Sequence, residues 1–130
     1  MMEPRIELPE LPSTKLYFTV GETILREGDL SDGWFVLLSG KVGVFKRDFS
    51  VAEISKAGSV IGEIGYLLNS PRTATLIAQE PTLLQHFTIG VDELFRKYPD
   101  IARRMAVTLA FRLAKTTEDW RESVGYRKTT

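Results

Sequence analysis

The sequence predicts a mainly β domain of α+β type: a sandwich or barrel of short strands, followed by helices at the C-terminal end. Three observations carry this. Short apolar runs separated by glycine turns recur from Lys15 to Thr88. The pattern changes at Val91 to the spacing of helices. The chain has 130 residues, the length of one domain and enough to bury a core.

Taken in order, Pro4, Pro9 and Pro12 make residues 1–14 an extended leader. Leu16–Val20 and Thr23–Arg26 are strand-like runs closed by Gly21 and by Glu27-Gly28-Asp29. Asp29-Leu30-Ser31-Asp32-Gly33 is a turn; it lacks the alternating acids and the distal Glu of a calcium loop. Trp34–Leu38 runs to Gly40, and Lys41–Lys46 alternates after it. Val51–Ile54, Thr73–Ala78 and Leu83–Ile89 complete the strand candidates. Asp92–Tyr98 reads as a short helix stopped by Pro99. Ile101, Met105, Leu109 and Leu113 then recur at helical spacing, with Trp120 and Val124 near the same stripe and Gly125 as a stop. Arg103, Arg104, Arg112, Lys115 and Glu122 are assigned to the wetter faces of that helix. The barrel is thus expected over about 15–90 and the helices over about 92–124, within one domain at 15–130.

Composition narrows the function. Basic and acidic residues balance at 17 each, so no broad electrostatic footprint for nucleic acid is present. The absence of cysteine excludes disulfides and thiolate metal sites. Met1 to Pro12 is acidic and proline-rich, unlike a secretory signal. No apolar run approaches the ~20 residues needed to span a bilayer. The expectation is a cytoplasmic module without a membrane or nucleic-acid partner. His86, the single histidine, alternates with Phe87 in a strand and is expected to face solvent. With no positioned base, Walker-type loop or metal-ligand cluster, the chain is expected not to be an enzyme and to need no cofactor.

The informative stretch is Val60 to Thr75. Gly62 precedes a short helical turn, Glu63 sits on that turn, and Asn69-Ser70-Pro71 returns the chain to Arg72-Thr73. Backbone N–H groups at a helix start lack internal partners and suit a phosphate. Gly62 and Gly65 carry no side chain to block a close approach. A guanidinium matches phosphate oxygens with a fork of donors, which assigns Arg72 to an anion. An ionised carboxylate only accepts, which assigns Glu63 to a sugar hydroxyl. The alternative is an ordinary first-turn acid and an ordinary surface arginine.

This stretch resembles the phosphate-binding cassette of the cyclic nucleotide-binding domain family. Glu27-Gly28-Asp29, Ser39-Gly40-Lys41-Val42 and Ala57-Gly58-Ser59-Val60 resemble the family's markers upstream of it, so the likeness spans about Leu16 to Val124. The resemblance implies an eight-stranded jelly-roll β-barrel (a double-stranded β-helix), with a short cassette helix and a long C-terminal helix. It implies cyclic nucleotide as the ligand. Ile61, Gly62, Glu63, Ile64 and Gly65 would line the sugar-phosphate; Arg72, Thr73 and the amide of Ala74 would hold the phosphate. The long helix would cover the base, with Thr116 and Thr117 near it and Trp120 stacking on the purine. Solvated threonines and a core or dimer role for Trp120 are the competing assignments, and Arg112 is a weaker base contact. Thr73 is compatible with either nucleotide, and cAMP is favoured over cGMP. The expected role is a stand-alone regulatory sensor working through movement of the C-terminal helix. Its effector would be an unknown protein in trans, and a homodimer through that helix is possible. In that switch Leu67 and Leu68 would repack against the Phe95 helix. The family often begins with helices where this chain has a proline-rich leader, and the expectation is that no effector segment follows the long helix. The alternative is a protein-interaction or dimerisation module that keeps the fold without the ligand.

Overall fold

The computed structural model describes residues 11–123, with backbone alone over 118–123. Eight strands precede two helices, and a third, short helix interrupts the strands: β1 (Thr14–Phe18), β2 (Thr23–Leu25), β3 (Trp34–Ser39), β4 (Val42–Lys46), β5 (Phe49–Ile54), β6 (Val60–Ile61), α1 (Glu63–Leu68), β7 (Thr75–Ala78), β8 (Thr82–Phe87), α2 (Val91–Lys97) and α3 (Pro99–Ser123). The strands form two four-stranded antiparallel sheets, in the orders β1-β8-β3-β6 and β2-β7-β4-β5. This is the interleaved order of a jelly roll. No strand pairing joins the two sheets among the described residues, so the architecture is a sandwich and not a closed barrel.

The first sheet is covered on both faces, which explains the unbroken apolar run of β3. Trp34 and Val36 face the helices, with Val60, Phe87, Leu94, Ala102 and Met105. Phe35 and Leu37 face the second sheet, with Val42, Ile61, Leu76 and Leu84. Three layers result: helices, first sheet, second sheet. The second sheet is wetter at its edge, where β5 is exposed from Phe49 to Glu53. Arg47 (φ 50°) and Asp48 (φ 70°) make the left-handed turn between β4 and β5, the twist that a two-residue hairpin requires.

Several sequence expectations shift. Leu11 is only 4% exposed and packs with the Trp34 cluster, so the end of the leader is anchored in the core. Residues 1–10 lie outside the described residues. Pro99 opens α3 where its missing N–H costs nothing. Leu94, not Phe95, is the buried residue of α2. On α3 the inward stripe runs through Ala102, Met105 and Thr108, and Leu113 is 68% exposed. Trp120 as a side chain, Val124 and Gly125 lie outside what is described. Among the described residues no helix is long and apolar enough to cross a membrane.

Tyr66 fastens α1 to the helical layer. Its hydroxyl donates to the carbonyl of Ile89 at 2.8 Å, and burial pushes the phenol above its ordinary value, an effect eased by the Trp34 indole. The folded form therefore holds this proton more tightly than the unfolded chain. That contribution is complete below the phenol's unfolded value and is lost as pH rises through the folded one. Tyr66→Phe should cost about 1 kcal/mol in urea denaturation at pH 7. It should also flatten part of the loss of stability above about pH 10.

Candidate functional site

The cassette folds against the loop between β2 and β3. Gly62, the cap before α1, has φ 77°, a left-handed conformation that glycine adopts without strain. A Cβ there would stand 2.7 Å from Arg72 Nη1. What approaches Gly62 closely is thus the guanidinium itself, which donates to the Gly62 carbonyl at 2.9 Å. Gly65 meets the hydroxyl of Ser31, which donates to the Ser70 carbonyl at 2.6 Å. Asn69 (φ 49°) ends α1 in the left-handed region and turns the chain toward Arg72.

Arg72 is 4% exposed. Its backbone is fixed by Arg72 N–H to Asp29 O (2.7 Å) and Gly28 N–H to Arg72 O (2.9 Å). Its Nη2 donates to Asp32 Oδ1 at 3.0 Å, and the guanidinium lies 5.7 Å from the Phe35 ring centre. Its Nε is buried without a hydrogen-bond partner among the described residues.

Glu63 is 5% exposed, and its charge is met from α3. Arg112 Nη1 donates to Glu63 Oε1 at 2.7 Å, and Nη2 donates to the Val60 carbonyl at 3.0 Å. Its charge alone predicts a wet face for Arg112. It faces the cassette because a buried carboxylate needs a paired cation. The long helix is thereby tied to the cassette by an ion pair.

These groups border one cavity of about 150 Å³. Ile61, Gly62, Glu63, Ile64, Gly65, Arg72, Thr73 and Ala74 line it, so the sequence-predicted cassette is brought together in full. Leu25, Val44, Ile54, Val60 and Leu76 add apolar walls, and Arg112 a charged one. Thr116 and Thr117 are not brought to it. Both are exposed, and the Thr117 hydroxyl donates to Leu113 O of its own helix at 3.0 Å. Arg112, one turn earlier, occupies the reach assigned to them. The sequence reading missed Asp32 and Ser31, which lie on a turn far from the cassette along the chain. A buried cation that needs a counter-charge and a tight glycine are signals that only packing reveals.

His86 departs from its expected place. Its side chain is 14% exposed and stacks on Phe35, ring centres 4.3 Å apart. β8 is an interior strand of a sheet covered on both faces, so alternation along it does not lead to solvent.

Comparison with known proteins agrees with this geometry. The model of the family described as "Cyclic nucleotide-binding domain" matches residues 15–96, more than half of the chain. A cyclic AMP receptor protein of Thermus thermophilus is 34% identical over 98 residues, covering 72% of this chain and 45% of that protein. A cGMP-dependent protein kinase of Plasmodium berghei is 42% identical over 65 residues, covering 50% of this chain and 8% of the kinase. The chain thus spans less than half the length of either relative. Among solved structures, the Thermus thermophilus catabolite activator protein superposes with a TM-score of 0.75 at 25% identity, covering 86% of this chain and 55% of that one. A cyclic nucleotide-binding domain from Methylobacillus flagellatus shares the fold, with a TM-score of 0.70 at 21% identity, covering 91% of this chain and 69% of that one. The matched strands, the cassette between β6 and β7 and the buried Glu63–Arg72 cavity meet in one conclusion: this chain belongs to the cyclic nucleotide-binding domain family.

Proposed function

We propose that this domain binds a cyclic nucleotide, with cAMP favoured over cGMP, and signals through movement of its C-terminal helix. The observation that carries this is a buried cation and a buried carboxylate on one cavity whose other walls are largely apolar. Arg72 takes the cyclic phosphate, helped by the open amides at the start of α1 and by those of Thr73 and Ala74. Glu63 accepts from the ribose 2′-hydroxyl; a carboxylate has lone pairs to spare beyond the one used by Arg112. The base lies on the aliphatic walls of Leu25, Val44, Ile54 and Leu76, a surface that suits the less polar adenine. The Thr73 hydroxyl serves either purine.

Asp32 holds Arg72 before ligand arrives, so phosphate binding exchanges one anion for another. A ribose on Glu63 reorganises the Glu63–Arg112 pair and moves α3 with it. Thr116 lies one turn beyond Arg112 on the same face of α3, so closure of the helix carries Thr116, Thr117 and Trp120 toward the base. The repacking element is the buried Leu94 face of α2, in place of the exposed Phe95. This is a population shift, and it needs the ligand to favour the closed arrangement. The domain is a binding and regulatory module, without catalytic chemistry of its own and with no cofactor beyond its ligand. It works in the cytoplasm on an effector protein, and the exposed Val107 and Leu113 are where α3 meets a second copy.

Both site charges are already paired within the chain. That observation favours the second reading, an interaction module that keeps the fold and has lost the ligand. Calorimetric titration with cAMP and with cGMP decides. Saturable binding, tighter for cAMP, is the expected result; no heat from either nucleotide establishes the second reading.

A further inference from the structure

Behind the phosphate arginine and its Asp32 partner lies an imidazole, His86, that the ligand reading does not use. Asp32 Oδ1 is shared: it accepts from Arg72 Nη2 at 3.0 Å and stands 3.8 Å from His86 Nε2. That imidazole nitrogen is buried and without a hydrogen-bond partner among the described residues. Phe35 completes the cluster, with His86 stacked on it and the Arg72 guanidinium near its ring. A Cβ on Gly33 would come within 3.1 Å of His86 Nε2, besides striking the Phe87 carbonyl.

We propose that His86 is a positioning residue for the phosphate-binding arginine: the protonated imidazole draws Asp32 off Arg72, so that cyclic nucleotide binds more tightly as pH falls. The inference rests on the ligand reading above.

The charges that face His86 set the sign. Asp32, on the loop before β3, is the charged group within ion-pair distance among the described residues, and Arg72 stands beyond it. The neighbours in the sheet, Thr14 on β1 and Phe35 on β3, carry no charge. Without ligand, Arg72 holds Asp32 and its positive charge opposes a second cation. With phosphate on Arg72, that charge is compensated and Asp32 is free to accept from an imidazolium. The bound form therefore takes up a proton more readily than the free form. By linkage, affinity rises as pH falls through the range where histidines titrate, about pH 5 to 8. Neither the cyclic diester nor the guanidinium changes charge in that range.

The test is calorimetry with cAMP and cGMP on the whole chain at pH 6 and pH 8. Wild type should bind about 3- to 10-fold more tightly at pH 6. His86→Phe, which keeps the stack on Phe35, and His86→Gln should each bind equally at the two pH values. A single histidine in the chain makes its NMR titration unambiguous; saturating ligand should displace it toward higher pH. Binding that is flat with pH in wild type, a slope that survives both substitutions, or an imidazole titration indifferent to ligand overturns the inference alone. Failure of both nucleotides to bind at either pH overturns the ligand reading and this inference with it.

Discussion

Arg72→Ala is expected to weaken cyclic nucleotide binding by about 100-fold or more while leaving a folded domain. Hydrogen bonds to a charged group contribute about 1.5–3 kcal/mol each, and a guanidinium fork offers two to a phosphate. Their joint loss is on the order of 3 kcal/mol or more, which is the stated factor in affinity. The fold should tolerate the change. The Asp32 side chain that loses its partner is 74% exposed and will be hydrated. The Gly62 carbonyl loses one donor, at about 1 kcal/mol. Arg72→Lys keeps the charge and loses the fork, and should fall between the two. Titration calorimetry measures the affinities and a urea melt checks the fold. Undiminished binding by a folded Arg72→Ala protein would remove Arg72 from the site.

Trp34→Ala is expected to cost about 3–5 kcal/mol of folding stability, the range for deleting a large buried side chain. Trp34 is fully buried at the junction of the first sheet and the helices. It stacks on Phe87 with ring centres 4.3 Å apart and meets Tyr66 at 6.2 Å. Removing it opens a cavity beneath α1, the element that presents Glu63. Domains are stable by only about 5–15 kcal/mol, so the variant should stand near its unfolding midpoint under mild denaturant. Trp34→Phe is the control: the indole N–H makes no well-formed hydrogen bond among the described residues, only a looser approach to the Tyr66 phenol, and an aromatic ring still fills the site, so the cost should be markedly smaller. Chemical denaturation followed by circular dichroism reads both variants. A loss below about 1 kcal/mol for Trp34→Ala would contradict the central place of this residue.

The cassette was legible because its parts are close along the chain. Gly62, Glu63, Arg72 and Thr73 lie within one short helix and one turn, where local backbone chemistry sets geometry. The strands before it and the helices after it were legible for the same reason, since strand and helix periods and glycine turns are local signals. Their ends moved by a few residues, as with β1, which starts at Thr14. The two-residue β6 is too short to show a period and came into view through the family's markers.

What acts on those parts was decided by packing. Asp32 reaches Arg72 across 40 residues of sequence and Arg112 reaches Glu63 across 49. Neither pairing leaves a trace in local pattern: a charged residue on a turn or a helix looks solvated until a buried counter-charge claims it. His86 was misplaced because alternation predicts solvent on one face of a strand, and this sheet has no free face there. The chain by itself thus determined the fold class, the family and the cassette that lines the cavity, all written in neighbouring residues. The tertiary structure alone decided which distant charges are held together, because removing an ion from water requires a partner that only the folded chain brings near.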